Sequence, residues 1–178
     1  LLSTLESDRP LTDIHVLAFS LTHELAYTSV LYMLDLAGIA FYAKQRQGIF
    51  PLVIAGGGAM FNPEPVASFF DLVVIGDGEE VFPEILGVIN RLKNEVTDKK
   101  ELVLALKDIS GVYIPGLFSV SEKKQCLTPV LDTYSQVEKR VALDLDAVDF
   151  PGTQIVPFGK VIHSRYSVEI ARGCTRGC

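Results

Sequence analysis

The chain has 178 residues, 48% of them hydrophobic, with 16 basic and 22 acidic side chains and a formal net charge of −6. That is material for one ordinary core, and the acidic balance argues against a nucleic-acid module held by bulk charge. No uninterrupted apolar run reaches the roughly 18 residues of a membrane span, and no basic segment followed by an apolar one opens the chain as a secretory signal would.

The charge is unevenly placed. Residues 1–89 carry 3 basic and 11 acidic groups, whereas residues 90–178 carry 13 and 11. A balance of −8 followed by one of +2 implies two regions of different duty. Three cysteines, Cys126, Cys174 and Cys178, are too few and odd in number for a disulfide framework, so a reducing cytoplasm is the expected compartment.

In chain order, Leu1–Leu5 reads as a candidate first strand. Ile14–Ser20 (IHVLAFS) is a short apolar run with β-branched and aromatic content, the pattern of a buried strand. Ser20 or Thr22 is placed to cap the next segment. Leu25–Ala37 reads as a helix in which Tyr27, Val30, Leu31 and Leu34 share a face, and Gly38 fits its stop. Pro51–Ala55 is a second strand, ending in Gly56-Gly57-Gly58. Pro63–Phe70 reads as a short helix with Asn62 as cap and Pro63 in first position. Leu72–Ile75 is a third strand, ending in Gly76-Asp77-Gly78. Glu79–Leu92 is a helix whose first turn holds acidic residues, where the helix dipole favours them.

Strands alternating with helices at this spacing predict a doubly wound parallel α/β sheet, and strands this apolar are covered on both faces. Ligands of such sheets sit beyond the carboxyl ends of the strands. That edge holds Ser20, Leu21 and Thr22, then Gly56 and Gly57, then Gly76, Asp77, Gly78 and Glu79, where small residues admit a close approach. A dinucleotide site is disfavoured, because Gly56-Gly57-Gly58-Ala59-Met60-Phe61 lacks the third glycine of that fingerprint.

The second half changes character. Asp98–Asp108 reads as one more helix. From Gly111 to Arg165 the text reads as short strands and proline-marked turns: GVYIP, then LFSVS, then Glu122–Gln125 as a solvated turn. The expected organisation is an α/β domain over residues 1–95 that lacks its own first strand and helix, a linker with a helix and hairpins over 96–165, and the start of a further domain over 166–178. Tyr166–Ala171 reads as a strand that leads into Arg172-Gly173-Cys174-Thr175-Arg176-Gly177-Cys178.

Cys174 and Cys178 form C-x₃-C directly after an apolar strand, among two glycines and two arginines. Glycines let such a loop curl so that thiolates converge, and arginines favour the thiolate form. Zinc would want a second ligand pair, which the sequence lacks. Thiolates are also the usual ligands of iron–sulfur clusters.

The segment VEIARGCTRGC resembles the cluster loop of radical S-adenosylmethionine (radical SAM) enzymes, whose motif is C-x₃-C-x₂-C. Upstream, Gly56-Gly57, Asn62-Pro63-Glu64-Pro65 and Val74–Glu80 are similar to cobalamin-binding-type domains, a Rossmann- or flavodoxin-like class, that precede radical SAM domains. Gly111–Pro115 and Leu145–Pro151 resemble the linker between the two, and LESDRPL with FSLTHELAYTSVLYMLDLAGI resembles an uncharacterised branch of this architecture. The resemblance covers nearly the whole chain. It implies that Cys174 and Cys178 ligate a [4Fe–4S] cluster whose open iron takes S-adenosylmethionine. The third thiolate would fall three residues after Cys178. The chain is then an N-terminal fragment that ends in the first strand of a truncated radical SAM barrel, inert by itself, with the remainder of that domain as its partner and an unknown substrate. Cobalamin is implied as a candidate ligand of the edge at Ser20-Leu21-Thr22 and Gly56-Gly57. The cobalt-ligating D-x-H-x-x-G of many cobalamin domains is only partly echoed in Asp13-Ile14-His15-Val16-Leu17-Ala18, with Ala18 in place of the glycine. The alternative reading is a module that binds cobalamin, or recognises a substrate or partner, without catalysis of its own. His23 and His163 read as surface or cap residues, Cys126 as structural, and Glu79, Glu80 and Glu84 as a dipole-matched helix start.

Overall fold

The apolar runs near residues 16, 52 and 72 form three neighbouring parallel strands in a computed structural model of the chain. β1 (Val16–Ser20) pairs with β2 (Leu52–Gly56) in the register Val16↔Leu52 to Ser20↔Gly56. β2 pairs in parallel with β3 (Leu72–Val74) through Ile54↔Leu72 and Ala55↔Val73. The structure describes residues 2–121, 126–148, 160, 162, 169–174 and 176. They fall into two units, Leu1–Val141 and Ala142–Cys178.

In the first unit both faces of the sheet are covered at β2 and β3, as the strand composition predicts, while β1 keeps Ala18 and Ser20 exposed. Alternate strand residues point to opposite faces. Val53, Ala55 and Val73 pack with Val30, Leu34 and Ala37 of α1 (Tyr27–Ala37), and with Met60, Val66 and Phe70 from the β2–β3 connection. Leu52, Ile54, Leu72 and Val74 pack with Val81, Ile85 and Ile89 of α2 (Gly78–Leu92) and with Leu102 of α3 (Lys99–Leu104). The three α2 residues recur every fourth position, the spacing of a single helix face. Asp98 caps α3, its carboxylate accepting from the Lys100 N–H at 3.0 Å.

The sheet is not wholly parallel. Its order is β1-β2-β3-β4, with no reversal, and β4 (Val112–Tyr113) pairs antiparallel with β3 through Val73↔Tyr113 and Val74↔Val112. The helices after β3 account for this. α2 leaves from the carboxyl end of β3. α3 begins at the other end, where Lys99 Nζ meets the Pro51 carbonyl and Asp71, and the chain then returns to enter β4 beside Val74. So α3 and β4, within the stretch expected as linker, belong to the same unit as β1–β3. Among the described residues the strand order shows no reversal, the feature that marks the ligand crevice of a Rossmann or flavodoxin sheet.

Three further expectations differ. Leu1–Leu5 contributes an isolated bridge, Ser3↔Pro10, rather than a strand. Pro63–Phe70 forms turns and the 3₁₀ segment Ala67–Phe69, because Pro65 has no N–H to donate and disfavours helical backbone at Glu64. Ser20 and Thr22 do not cap α1. A 3₁₀ turn, Glu24–Ala26, precedes it, and the Glu24 carbonyl takes the Tyr27 N–H. Gly38 does end α1, in left-handed backbone with φ 69°.

Beyond β4, β5 (Phe118–Ser121) and β6 (Cys126–Pro129) form an antiparallel hairpin. Tyr134 follows, 6% exposed. Its hydroxyl donates to the Val112 carbonyl and accepts from the Ile114 N–H at 3.1 Å. Among the described residues, no helix is long and apolar enough to cross a membrane. The expected strand Tyr166–Ala171 lies partly outside the described residues, and Glu169, Ile170 and Ala171 are not in a strand.

Candidate functional site

The parallel strands bring the edge residues together at one end. Ser20 and Gly56 are level in the sheet, and Gly76 lies two residues past Val74. Ser20, Thr22 and Gly78 are exposed; Gly56, Gly57, Gly76, Asp77 and Glu79 are half-buried.

Several backbone groups at this edge already have partners. Leu21, 2% exposed, donates its N–H to the Gly56 carbonyl at 2.7 Å, and its own carbonyl accepts from the Ala59 N–H at 3.0 Å. Gly57 has φ 96°, and a side-chain Cβ there would lie 2.6 Å from the Leu21 oxygen. At β3, Arg140 donates its N–H to the Ile75 carbonyl and accepts from the Asp77 N–H, both at 3.0 Å. Gly76 has φ 110°, and a Cβ there would lie 2.0 Å from the Arg140 oxygen. These two glycines therefore admit the chain's own backbone. That answers a point the sequence left open, namely what their missing side chains make room for.

The edge carries one clasp that sequence reasoning missed. The Arg140 guanidinium donates to Glu80 Oε2 from Nε at 3.1 Å and from Nη2 at 2.7 Å, and Nη2 also reaches Glu84 Oε1 at 2.9 Å. Glu80 and Glu84 are thus partners of an arginine 56 to 60 residues away as well as acids near a helix start. No local pattern announces such a pair. Glu64 is also engaged, accepting from the Tyr113 hydroxyl, whose pKa is raised by burial first and by this carboxylate second.

A corrin at this edge would need free backbone groups and open glycine space. The glycine space is taken at Gly57 and Gly76, so these two positions do not fit that cofactor. The partial D-x-H motif lies at the other end of the sheet, where His15, exposed, meets the Phe50 ring edge-on at 4.6 Å. His23 is exposed and gives no side-chain cap to Glu24–Ala26. His163 lies outside the described residues.

The opposite, amino end of the sheet holds a buried ionic cluster. Asp71 accepts from Arg46 Nη2 at 3.0 Å, from the Val53 N–H at 2.7 Å and from Lys99 Nζ at 3.4 Å. Arg46 also donates to the carbonyls of Ala40, Phe41 and Phe69. Burial lowers the Lys99 pKa, and the Asp71 charge opposes that shift. Every strong acceptor here is used within the fold, which marks a clamp and not a reaction centre. Its sequence signal was a lone acid directly before an apolar strand.

In the second unit, Cys174 is exposed and carries a free thiol. Gly173 before it has φ 90°. The Arg176 backbone N–H points to Cys174 Sγ at 3.4 Å. Arg172 forks onto Glu169, Nε to Oε1 at 2.7 Å and Nη2 to Oε2 at 2.9 Å. An N–H aimed at sulfur is a contact that a cysteine thiolate can receive. Cys178 lies outside the described residues, and among the described ones no three His, Cys, Asp or Glu side chains converge on a metal position. Cys126, expected as structural, is exposed on β6.

The family described as radical SAM proteins, N-terminal, matches residues 1–115. No curated protein matches the chain, and no solved structure does.

Proposed function

The chain belongs to the family of radical SAM proteins, N-terminal, and on that premise we propose that it is the leading part of a radical SAM iron–sulfur enzyme. The observation that carries the reading is the C-x₃-C loop at Cys174 and Cys178, in sequence behind the matched residues. Cys174 and Cys178 would hold two irons of a [4Fe–4S] cluster, and a cysteine three residues beyond Cys178 would hold a third. Reductive cleavage of S-adenosylmethionine to methionine and a 5′-deoxyadenosyl radical is the chemistry such a cluster supplies when bound.

What these residues contribute is placement. The Arg176 N–H on Cys174 Sγ holds that sulfur in a defined direction, and the Arg172–Glu169 fork stiffens the chain just before it. Hydrogen bonds to cluster sulfurs tune reduction potential, so Arg176 acts through its backbone and would tolerate side-chain change. With two of the three thiolates, the 178 residues alone are expected to be catalytically inert. A cytoplasmic location is part of the same proposal, since thiolate ligands persist in a reducing compartment.

Anaerobic reconstitution with iron and sulfide tests the reading on a protein that includes the residues following Cys178. Absorbance near the thiolate-to-iron charge-transfer region, lost in both Cys174→Ala and Cys178→Ala, is the expected result, together with release of 5′-deoxyadenosine under reductant. Full cluster content in both variants would end the proposal.

A further inference from the structure

The residues Val137–Arg140 follow the hairpin and lie against the carboxyl end of the sheet. Val137 packs against the hydrophobic clusters of both sheet faces. Lys139 Nζ stands 5.1 Å from the centre of the Phe61 ring, in the turn after β2. Arg140 pairs through its backbone with Ile75 and Asp77, forming a parallel bridge with Gly76. Its side chain then reaches Glu80 and Glu84 at 2.7 and 2.9 Å. These contacts are of four kinds: apolar packing, cation–π, backbone pairing and a charge clasp.

We infer that the carboxyl edge of this sheet is the seat of the chain's own segment Val137–Arg140, and not of a corrin or another large planar cofactor. Gly76 carries the argument furthest. Its φ of 110° and the 2.0 Å between a notional Cβ and the Arg140 oxygen show that its lack of a side chain is used by chain backbone. Gly78, two residues on, has nothing within 4 Å of a notional Cβ and is not so constrained. The seat fixes where the chain leaves the first unit, since Val141 is that unit's last residue.

Two measurements on the whole chain test this. Titration with hydroxocobalamin, followed by visible absorbance, is expected to stay flat; a saturable spectral shift would overturn the inference. Limited trypsinolysis read by mass spectrometry then compares cleavage at Arg140–Val141 with cleavage at the exposed Lys44. Because proteolysis tracks local opening, Gly76→Ala should raise this ratio about fivefold or more, while Gly78→Ala leaves it unchanged. If Gly76→Ala does not fold, the double variant Glu80→Gln, Glu84→Gln serves instead, since it keeps the glycine and removes the charged partners; about a threefold rise is expected. An unchanged ratio in every folded variant of the seat would overturn the inference. The outcome is independent of cluster reconstitution, because all the residues involved lie before Ala142.

Discussion

At Asp71, whose side chain is 3% exposed, one carboxylate meets Arg46, Lys99 and the Val53 N–H. Replacing it by alanine leaves an arginine of 4% side-chain exposure without its counter-charge. Breaking a buried pair from one side is costly, so Asp71→Ala should lose about 3 kcal/mol, read as a lower midpoint in urea unfolding. An effect near zero would show the cluster to be dispensable. Tyrosines make a second residue-scale prediction, in pH. Burial raises the Tyr134 pKa from 10.0 to about 12, and burial with Glu64 raises that of Tyr113. Above pH 10 the unfolded chain loses these phenolic protons before the folded one, so stability falls. Lys99 works in the other direction: its pKa is lowered in the fold, and its contribution grows as pH rises toward 10.5. That contribution levels off once the pH passes 10.5, while the Tyr134 loss continues to about 12. Net destabilisation above pH 10 is expected in thermal melts, with a shallower slope in Tyr134→Phe. An unchanged slope in that variant would assign the alkaline loss elsewhere.

At the scale of elements, apolar periodicity predicted well, whereas the N-caps read at Ser20 or Thr22 and at Asn62 and the long-range pairing did not. β2 and β3 were readable because strands buried on both faces are continuous apolar runs, β1 because its short run is rich in apolar and aromatic residues, and α2 because Val81, Ile85 and Ile89 recur on one face. Gly38 marked its helix end by chemistry that acts within a few residues, whereas the helix expected over Asp98–Asp108 is shorter, Lys99–Leu104, with Asp98 as its cap. The direction of β4 was not readable. It depends on α3 carrying the chain back along the sheet, and Val112–Tyr113 alone is too short to declare a partner. The site shows the same division: its small strand-end residues were visible, while Arg140 against Glu80 was not, since 60 residues separate them. α3 gives a direct test of its place in the core. Leu102 is 0% exposed, and Leu102→Ala should lose about 3 kcal/mol by transfer and cavity formation together, measured by urea unfolding. A loss below about 1 kcal/mol would mean that α3 is a loosely attached connector.

For the whole molecule, the family match ends at Pro115 but the first unit runs to Val141. A chain cut after Pro115 loses Tyr134 and the 137–140 segment; one cut after Val141 keeps both. The longer piece should melt cooperatively near the temperature of the intact chain, and the shorter one several degrees lower by circular dichroism. Equal melting would show that the residues after Pro115 add nothing to the sheet. Tyr134 has one more consequence. The outward groups of the end strand β4 are already engaged: the Val112 N–H with the Ile109 carbonyl, the Val112 carbonyl and the Ile114 N–H with the phenol. A strand edge with no free ladder groups offers no template to a second chain. The hydroxyl of Tyr134 thus closes this one edge to pairing, and its loss should be seen first in concentrated solution as light scattering that grows with protein concentration, ahead of any change in a dilute melt.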